Sequence, residues 1–250
     1  MVSLTVATSN GGQEQFRSSS LTHAGCVRKL NRDAILERSK IGLWALADGM
    51  GGDQSSGIGA AAVVRALAQL DSFDSAFSAR RAVRAALAKA NLQLLTRALE
   101  ERLENVGASV VTLLARDDSY ACLWTGTSRG YVFRSGKLMR LSRDHTCAQE
   151  LVDAGQLTME EAVQQPDLQK ATRAIGARSH LEIEATNGEL RPGDRFLLCS
   201  DGLNVVAEPD IALALALASA QQASSRLIEA ALEAGAPDNV SVIIVDAIAN

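Results

Sequence analysis

Between about residues 55 and 104 the chain changes its period. "SGIGAAAVVRALAQL" and "SAFSARRAVRAALAKANLQLLTRALEERL" repeat apolar residues at three- and four-residue steps and are rich in alanine and leucine. This predicts two helices, the second long, with Asp74 or Ser75 as its cap. On either side the apolar residues come in short runs. Strands are expected at 15–22, 34–38 and 41–47, and about four more within 108–142, divided by Asp117-Asp118, Gly126 to Gly130 and Ser135-Gly136. Small helical or irregular segments fill roughly 146–180. Strands return near 182–187 and 195–200, two more Ala-rich helices follow at 208–218 and 221–234, and "NVSVIIVDA" (239–247) is the last strand. Strands, two helices, strands, two helices, strand is a segregated α+β order rather than alternating βαβ. The expected arrangement is two antiparallel β-sheets packed as a sandwich, with a helix pair on each outer side. Residues 1–13 read as a flexible tail and 14–250 as a single domain.

Composition narrows the function classes. Apolar residues make up 47 % and charged residues 22 %, enough for a sizeable core. The net charge of -4 argues against a binder of nucleic-acid backbone. No apolar run approaches the roughly 20 residues that span a bilayer. The first twenty residues have no Lys or Arg before Arg17 and no apolar h-region, so they make a poor signal peptide. Cys26, Cys122, Cys147 and Cys199 form no CxxC pair, so reduced thiols in a cytoplasmic protein are expected.

Three carboxylates stand where apolar strands run out. "LWALADGMGGD" (43–53) reaches Asp48 and then Gly49, Gly51 and Gly52; "RFLLCSDGL" reaches Asp201-Gly202; "APDNVSVIIV" sets Asp238-Asn239 before the last strand. Singly, Asp-Gly after a strand reads as a hairpin turn. Asp48 fits that poorly, because a helix follows it. Buried strands share a core, so their ends can share a mouth. Carboxylates gathered there need protons, arginines or metal ions. Oxygen ligands without a Cys or His cluster favour Mg²⁺ or Mn²⁺. Two such ions about 4 Å apart activate water and polarise a phosphoryl oxygen.

At this point the chain resembles a known family, the metal-dependent protein phosphatases of the PP2C (PPM) type, especially their compact bacterial members. The resemblance is carried by "GCVRKLNRDA" (25–34), "ADGMGGD" (47–53), "GAS" (107–109), "GTSRGYVFRSGKL" (126–138), "RDHT" (143–146), "LVDAGQLTMEEA" (151–162), "RPGDRFLLCSDGL" (191–203) and "DNVSVIIV" (238–245), in the family's order from about 17 to 247. It implies a PP2C-like sandwich with a flap over about 146–180. It also implies Asp48 as ligand of both metals, the backbone oxygen of Gly49 as ligand of one, and Asp201 and Asp238 as ligands of the other. By the same resemblance Asp33 holds metal-bound waters and Arg28 clamps the substrate phosphate, which suits a guanidinium fork. His145 reads as a structural hydrogen-bonding residue rather than a general acid, and Trp44 and Trp124 as core.

The chain departs from the family at four places. Arg32 stands where the family has Glu or Gln. A unit charge about 5 Å from a divalent ion is repelled by roughly 7 kcal/mol at an effective dielectric of 20, so Arg32 is expected to point away while Asp33 points in. Asp53 replaces a His, and the glycine and acid that normally follow are shifted or lost in "QSSGIGA". Thr127 replaces the Asp that, with Asp201, binds a third metal. The expected activity is hydrolysis of phosphoserine and phosphothreonine in proteins by in-line attack of a metal-bound water. Two Mn²⁺ or Mg²⁺ ions are expected, the third weak or absent. The expected partners are phosphorylated substrates of a Ser/Thr kinase, sometimes in bacterial secretion control, with no nucleic acid, no membrane and a monomeric state. The alternatives are a pseudophosphatase that works by binding and, more remotely, another two-metal phosphodiester hydrolase.

Overall fold

A computed structural model describes residues 15–51 and 57–248. The chain-order elements are β1 (Phe16–His23), β2 (Asp33–Arg38), β3 (Leu43–Met50), α1 (Ile58–Ala68), α2 (Ala76–Glu100), β4 (Gly107–Arg116), β5 (Ser119–Thr125), β6 (Arg129–Arg134), β7 (Lys137–Arg140), α3 (Cys147–Asp153), α4 (Met159–Val163), β8 (Glu184–Glu189), β9 (Arg195–Cys199), α5 (Glu208–Leu215), α6 (Ala220–Glu233) and β10 (Val240–Ala247). The strands form two five-stranded sheets, ordered β1-β10-β9-β6-β7 and β2-β3-β4-β5-β8. Every pairing is antiparallel. The expected tail, 1–13, lies outside the described residues, as does Asp53.

Side-chain alternation sorts the strands into three apolar layers. In β3, Leu43, Ala45 and Ala47 pack under α1 and α2, while Trp44 and Leu46 face the other sheet. In β10, Val242 and Ile244 pack under α5 and α6, while Ile243 and Val245 face inward. Strands buried on both sides read as continuous apolar runs, which is why the sequence showed runs rather than strict alternation. Trp44 is fully buried and meets Phe16 edge to face, with centroids 5.1 Å apart. Trp124 is buried too, and its indole N–H donates to the Arg143 carbonyl at 2.8 Å.

Two expectations sharpen. Ser75, not Asp74, caps α2: its hydroxyl accepts from the Ser78 N–H, and the Ser78 hydroxyl accepts in turn from the Ser75 N–H. β3 does not stop at Ala47. Asp48, Gly49 and Met50 stay paired with Ser109, Ala108 and Gly107, because the start of β4 continues the ladder. Asp48 is therefore an in-strand residue rather than a turn residue.

Candidate metal centre

The alternation that builds the core also aims the site. Asp48 shares the inward parity of Trp44 and Leu46, so it continues the sandwich interior towards the open end. Asp33 is its direct cross-strand partner and points to the same side. From the other sheet, β9 delivers Asp201 at the start of a short 3₁₀ turn, and Asp238 precedes β10. Four carboxylates thus come together from four strand termini of two sheets.

The electrostatics record the crowding. The Asp48 carboxyl is held well above the ordinary range, first by burial, then by the charges of Asp201, Asp33 and Asp238. Asp33 is pushed up to about 6 by burial, against hydrogen bonds from Ser241 and Ser200 that favour its charged form. Asp201 is raised by burial and by Asp238. Asp33 Oδ2 accepts from the Ser241 hydroxyl at 2.6 Å, while its buried Oδ1 has no hydrogen-bond partner. A buried carboxylate oxygen without a partner is costly unless something cationic faces it.

Arg28 brings positive charge to another member of the cluster, Asp238. Its Nε and Nη2 donate to the two oxygens of Asp238 at 3.0 and 2.6 Å, and this pairing raises its own pKa. Asp238 is thus turned towards Arg28 and Asp33 towards Ser241. Among the described residues no group of His, Cys, Asp or Glu is already closed around a metal position. The donor chemistry nonetheless fits hard divalent cations: carboxylate oxygens, a backbone carbonyl beside them at Gly49, and the orphaned oxygen of Asp33. Gly49 has a steric reason to be glycine. A Cβ there would stand 2.7 Å from the Arg32 carbonyl and 3.2 Å from the Gly57 nitrogen, where β2 and the start of α1 close on β3.

The atypical residues have definite places. Arg32 donates from Nη1 to the Gly51 carbonyl at 2.9 Å, and its backbone N–H donates to Asn239. Thr127 is buried, with its hydroxyl 3.1 Å from that of Ser109 and 3.4 Å from Asp201 Oδ2. His145 accepts from the Gly126 N–H at Nδ1 and places Nε2 3.1 Å from a Glu184 carboxylate oxygen. Its backbone bridges Gly126 and Thr172, and burial lowers its pKa. It ties the flap base to β5 and does not face the carboxylates.

Three supporting residues were quoted within motifs but given no role. Asn239 is nearly fully buried; its Nδ2 donates to the Ala24 and Leu30 carbonyls, and its Oδ1 accepts from Arg32. It clamps both ends of the segment that carries Arg28. Ser241 donates to Asp33, and the Ser200 hydroxyl accepts from the Ser241 N–H and donates to the Asn239 carbonyl. The available signal was their inward parity, Ser241 on β10 and Ser200 one residue beyond the end of β9. A separate network fixes Asp144 between Arg129, which donates from Nε and Nη2, and Arg140. Burial works against the Arg129 charge, but Asp144 outweighs it and raises its pKa.

Residues 27–240 match the sequence pattern of the family Protein phosphatase 2C. The chain belongs to the protein phosphatase 2C family. It is 35 % identical over 93 % of its length to the serine/threonine protein phosphatase PstP of Mycobacterium tuberculosis, and spans 45 % of that protein's length. A solved structure of PppA, a key regulatory component of T6SS in Pseudomonas aeruginosa, superposes with a TM-score of 0.87 at 35 % identity, covering 93 % of this chain and 98 % of that one. The catalytic domain of PstP in complex with two manganese ions superposes with a TM-score of 0.84 at 34 % identity, covering 94 % and 99 %. These PP2C structures share the two-sheet sandwich with flanking helices. Among the described residues no helix is long and apolar enough to cross a membrane.

Proposed function

We propose that this chain is the catalytic domain of a Mn²⁺- or Mg²⁺-dependent phosphatase that hydrolyses phosphoserine and phosphothreonine in proteins. The observation that carries the reading is the convergence of Asp33, Asp48, Asp201 and Asp238, with raised pKa values on the three buried ones, at one end of a PP2C sandwich. Asp48, Asp201, Asp238 and the Gly49 carbonyl would hold two divalent ions, which supply Lewis-acid polarisation of the phosphoryl group and lower the pKa of the attacking water. Asp33, oriented by Ser241, accepts a proton or hydrogen bond from water at its free Oδ1. Arg28 binds the phosphate oxygens through the fork it now offers Asp238. Asn239 holds the Arg28 segment in place. The phosphoproteins are substrates of a Ser/Thr kinase, the enzyme is a cytoplasmic monomer, and residues 14–250 form one domain. The kinship with PppA makes secretion control one setting in which this would operate.

The test is turnover of p-nitrophenyl phosphate and of a phosphothreonine peptide with Mn²⁺ and after thorough chelation. Metal-dependent turnover supports the proposal; turnover that survives chelation removes the two-metal basis. One observation favours a second reading. Thr127 brings a neutral hydroxyl where the outer metal needs a carboxylate beside Asp201. A pseudophosphatase would bind phosphopeptide without turning it over, even with Mn²⁺ present and Thr127→Asp in place.

A further inference from the structure

α1 and α2 bury Val63, Leu67, Val83 and Leu87 against the sheet beneath them. On the outward side Ala62 and Ala66 of one helix oppose Ala82 and Ala86 of the other. Methyl side chains at four-residue spacing are too small to fill the valley between two helices. A groove of about 590 Å³ therefore remains open to solvent, with mainly apolar walls. Leu92 and Leu99 lie outside the groove, on the solvent face of α2, and are 57 % and 81 % exposed.

The charge around the groove is unlike that of the chain as a whole. The protein has a net charge of -4. Yet α1 and α2 carry Arg65, Arg80, Arg81, Arg84, Lys89 and Arg97 against Glu100 alone. Arg80, Arg84 and Arg97 are engaged with Asn187, the Ile183 carbonyl and Glu101. Arg65 and Lys89 stand at the groove and make no ion pair among the described residues. An apolar trough with one cation on each helix, Arg65 on α1 and Lys89 on α2, and no carboxylate in its lining is complementary to a third helix that is apolar on one side and acidic along its flanks.

We propose that the α1–α2 groove docks an acidic amphipathic helix of a partner protein. Its apolar side chains, spaced i, i+3, i+4 and i+7, lie in the alanine trough, and its carboxylates meet Arg65 and Lys89. The groove lies on the helix-covered side of the sheet and none of the four carboxylates lines it, so docking there would not cover them directly. The proposal goes beyond the phosphatase reading and stands or falls separately from it.

The probe is a fluorescent peptide of about 15 residues with leucines at those spacings and glutamates on the flanks. Two controls accompany it: a scrambled peptide of the same composition, and one with lysine for each glutamate. Fluorescence polarisation is expected to give a Kd of about 10 μM for the acidic peptide, with the scrambled one at least tenfold weaker (about 1.4 kcal/mol). Arg65→Glu with Lys89→Glu should weaken the acidic peptide about tenfold and let the lysine peptide bind in its place. Ala66→Leu, which fills the trough, should weaken the acidic peptide while circular dichroism and p-nitrophenyl phosphate turnover stay at wild-type values. No binding at about 1 mM, equal binding of the scrambled peptide, or binding indifferent to both variants would overturn the proposal. So would sedimentation showing that the protein self-associates and that Ala66→Leu makes it monomeric, because the occupant would then be a second copy.

Discussion

Replacing Arg28 with alanine separates the ion pair it makes with Asp238 from the phosphate-binding role proposed for it. The Arg28 fork closes on Asp238 with contacts of 3.0 and 2.6 Å, and both side chains are close to half exposed (46 % and 40 %). An exposed ion pair of this kind contributes about 0.5–1 kcal/mol after solvent screening. A metal that takes Asp238 must first displace Arg28, so Arg28→Ala should tighten Mn²⁺ binding about two- to fivefold. The phosphate side has the opposite sign. A charge-assisted hydrogen bond contributes about 1.5–3 kcal/mol, so KM for a phosphopeptide should rise about 10- to 100-fold. In the proposed role Arg28 would contact phosphate oxygens in both ground and transition states, so kcat should change much less. Titration calorimetry with Mn²⁺ in the absence of substrate reads the first effect, and initial rates at saturating Mn²⁺ read the second. Mn²⁺ affinity that falls in Arg28→Ala would refute the displacement argument, since it would mean that Arg28 holds Asp238 ready for metal. An unchanged KM would refute the phosphate role.

Asp48→Asn and Asp201→Asn should each abolish Mn²⁺-dependent turnover, yet raise the Tm of the metal-free protein, because each removes a buried charge from a mutually repelling set; calorimetric scans with and without Mn²⁺ check both halves. Thr127→Asp should add an outer metal beside Asp201 and raise turnover. It should also lower the metal-free Tm, since a further carboxylate enters a buried site 3.4 Å from Asp201; an anomalous-scattering count of bound Mn²⁺ decides whether the ion is there. The raised pKa of Asp33, about 6 against 3.8, means that the folded metal-free protein binds the proton more tightly than the unfolded chain. This group's contribution to stability is therefore full below the unfolded pKa and is lost as pH rises through about 6. Mn²⁺ competes for the same oxygens, so its affinity should fall as pH drops below about 6. Chemical denaturation and metal titration across that window should run in opposite directions.

The fold and the site were not equally legible in the sequence. The alternation of short apolar runs with Ala-rich helical blocks located every strand and the four large helices, because burial on both sides of the sheets imposes that pattern locally. The identity of the α2 cap was left between Asp74 and Ser75; the reciprocal Ser75–Ser78 bonds decide it. The extent of β3 was misjudged, because its last three residues are held by pairing with Gly107–Ser109, some sixty residues away in the chain. Asp33, Asp48, Asp201 and Asp238 could be named from motif and resemblance. Their environment could not. The hydroxyl of Ser241 reaches Asp33 across 208 positions, and Asn239 reaches Ala24 across 215. Such contacts depend on which strands become neighbours, and nothing local in "DNVSV" announces them. The present engagement of Arg28 with Asp238 was likewise invisible, because a fork that suits phosphate suits a carboxylate equally well.

The glycines and carboxylates at the strand ends then have one explanation. Two of the acids, Asp33 and Asp48, belong to one sheet, and Asp201 and Asp238 flank strands of the other, after β9 and before β10. Bringing them together is a consequence of packing the sheets face to face, through a core that includes Trp44, Phe196 and Ile243. That same packing brings like charges together at one end of the sandwich, where desolvation first, and the neighbouring carboxylates after it, raise the pKa values of Asp33, Asp48 and Asp201. Gly49 keeps its carbonyl beside them only because it lacks the Cβ that would collide with Arg32. The apolar core thus holds together a site that opposes its own assembly. An ion that neutralises the carboxylates relieves that opposition, so metal binding and the joining of the two sheets should strengthen each other.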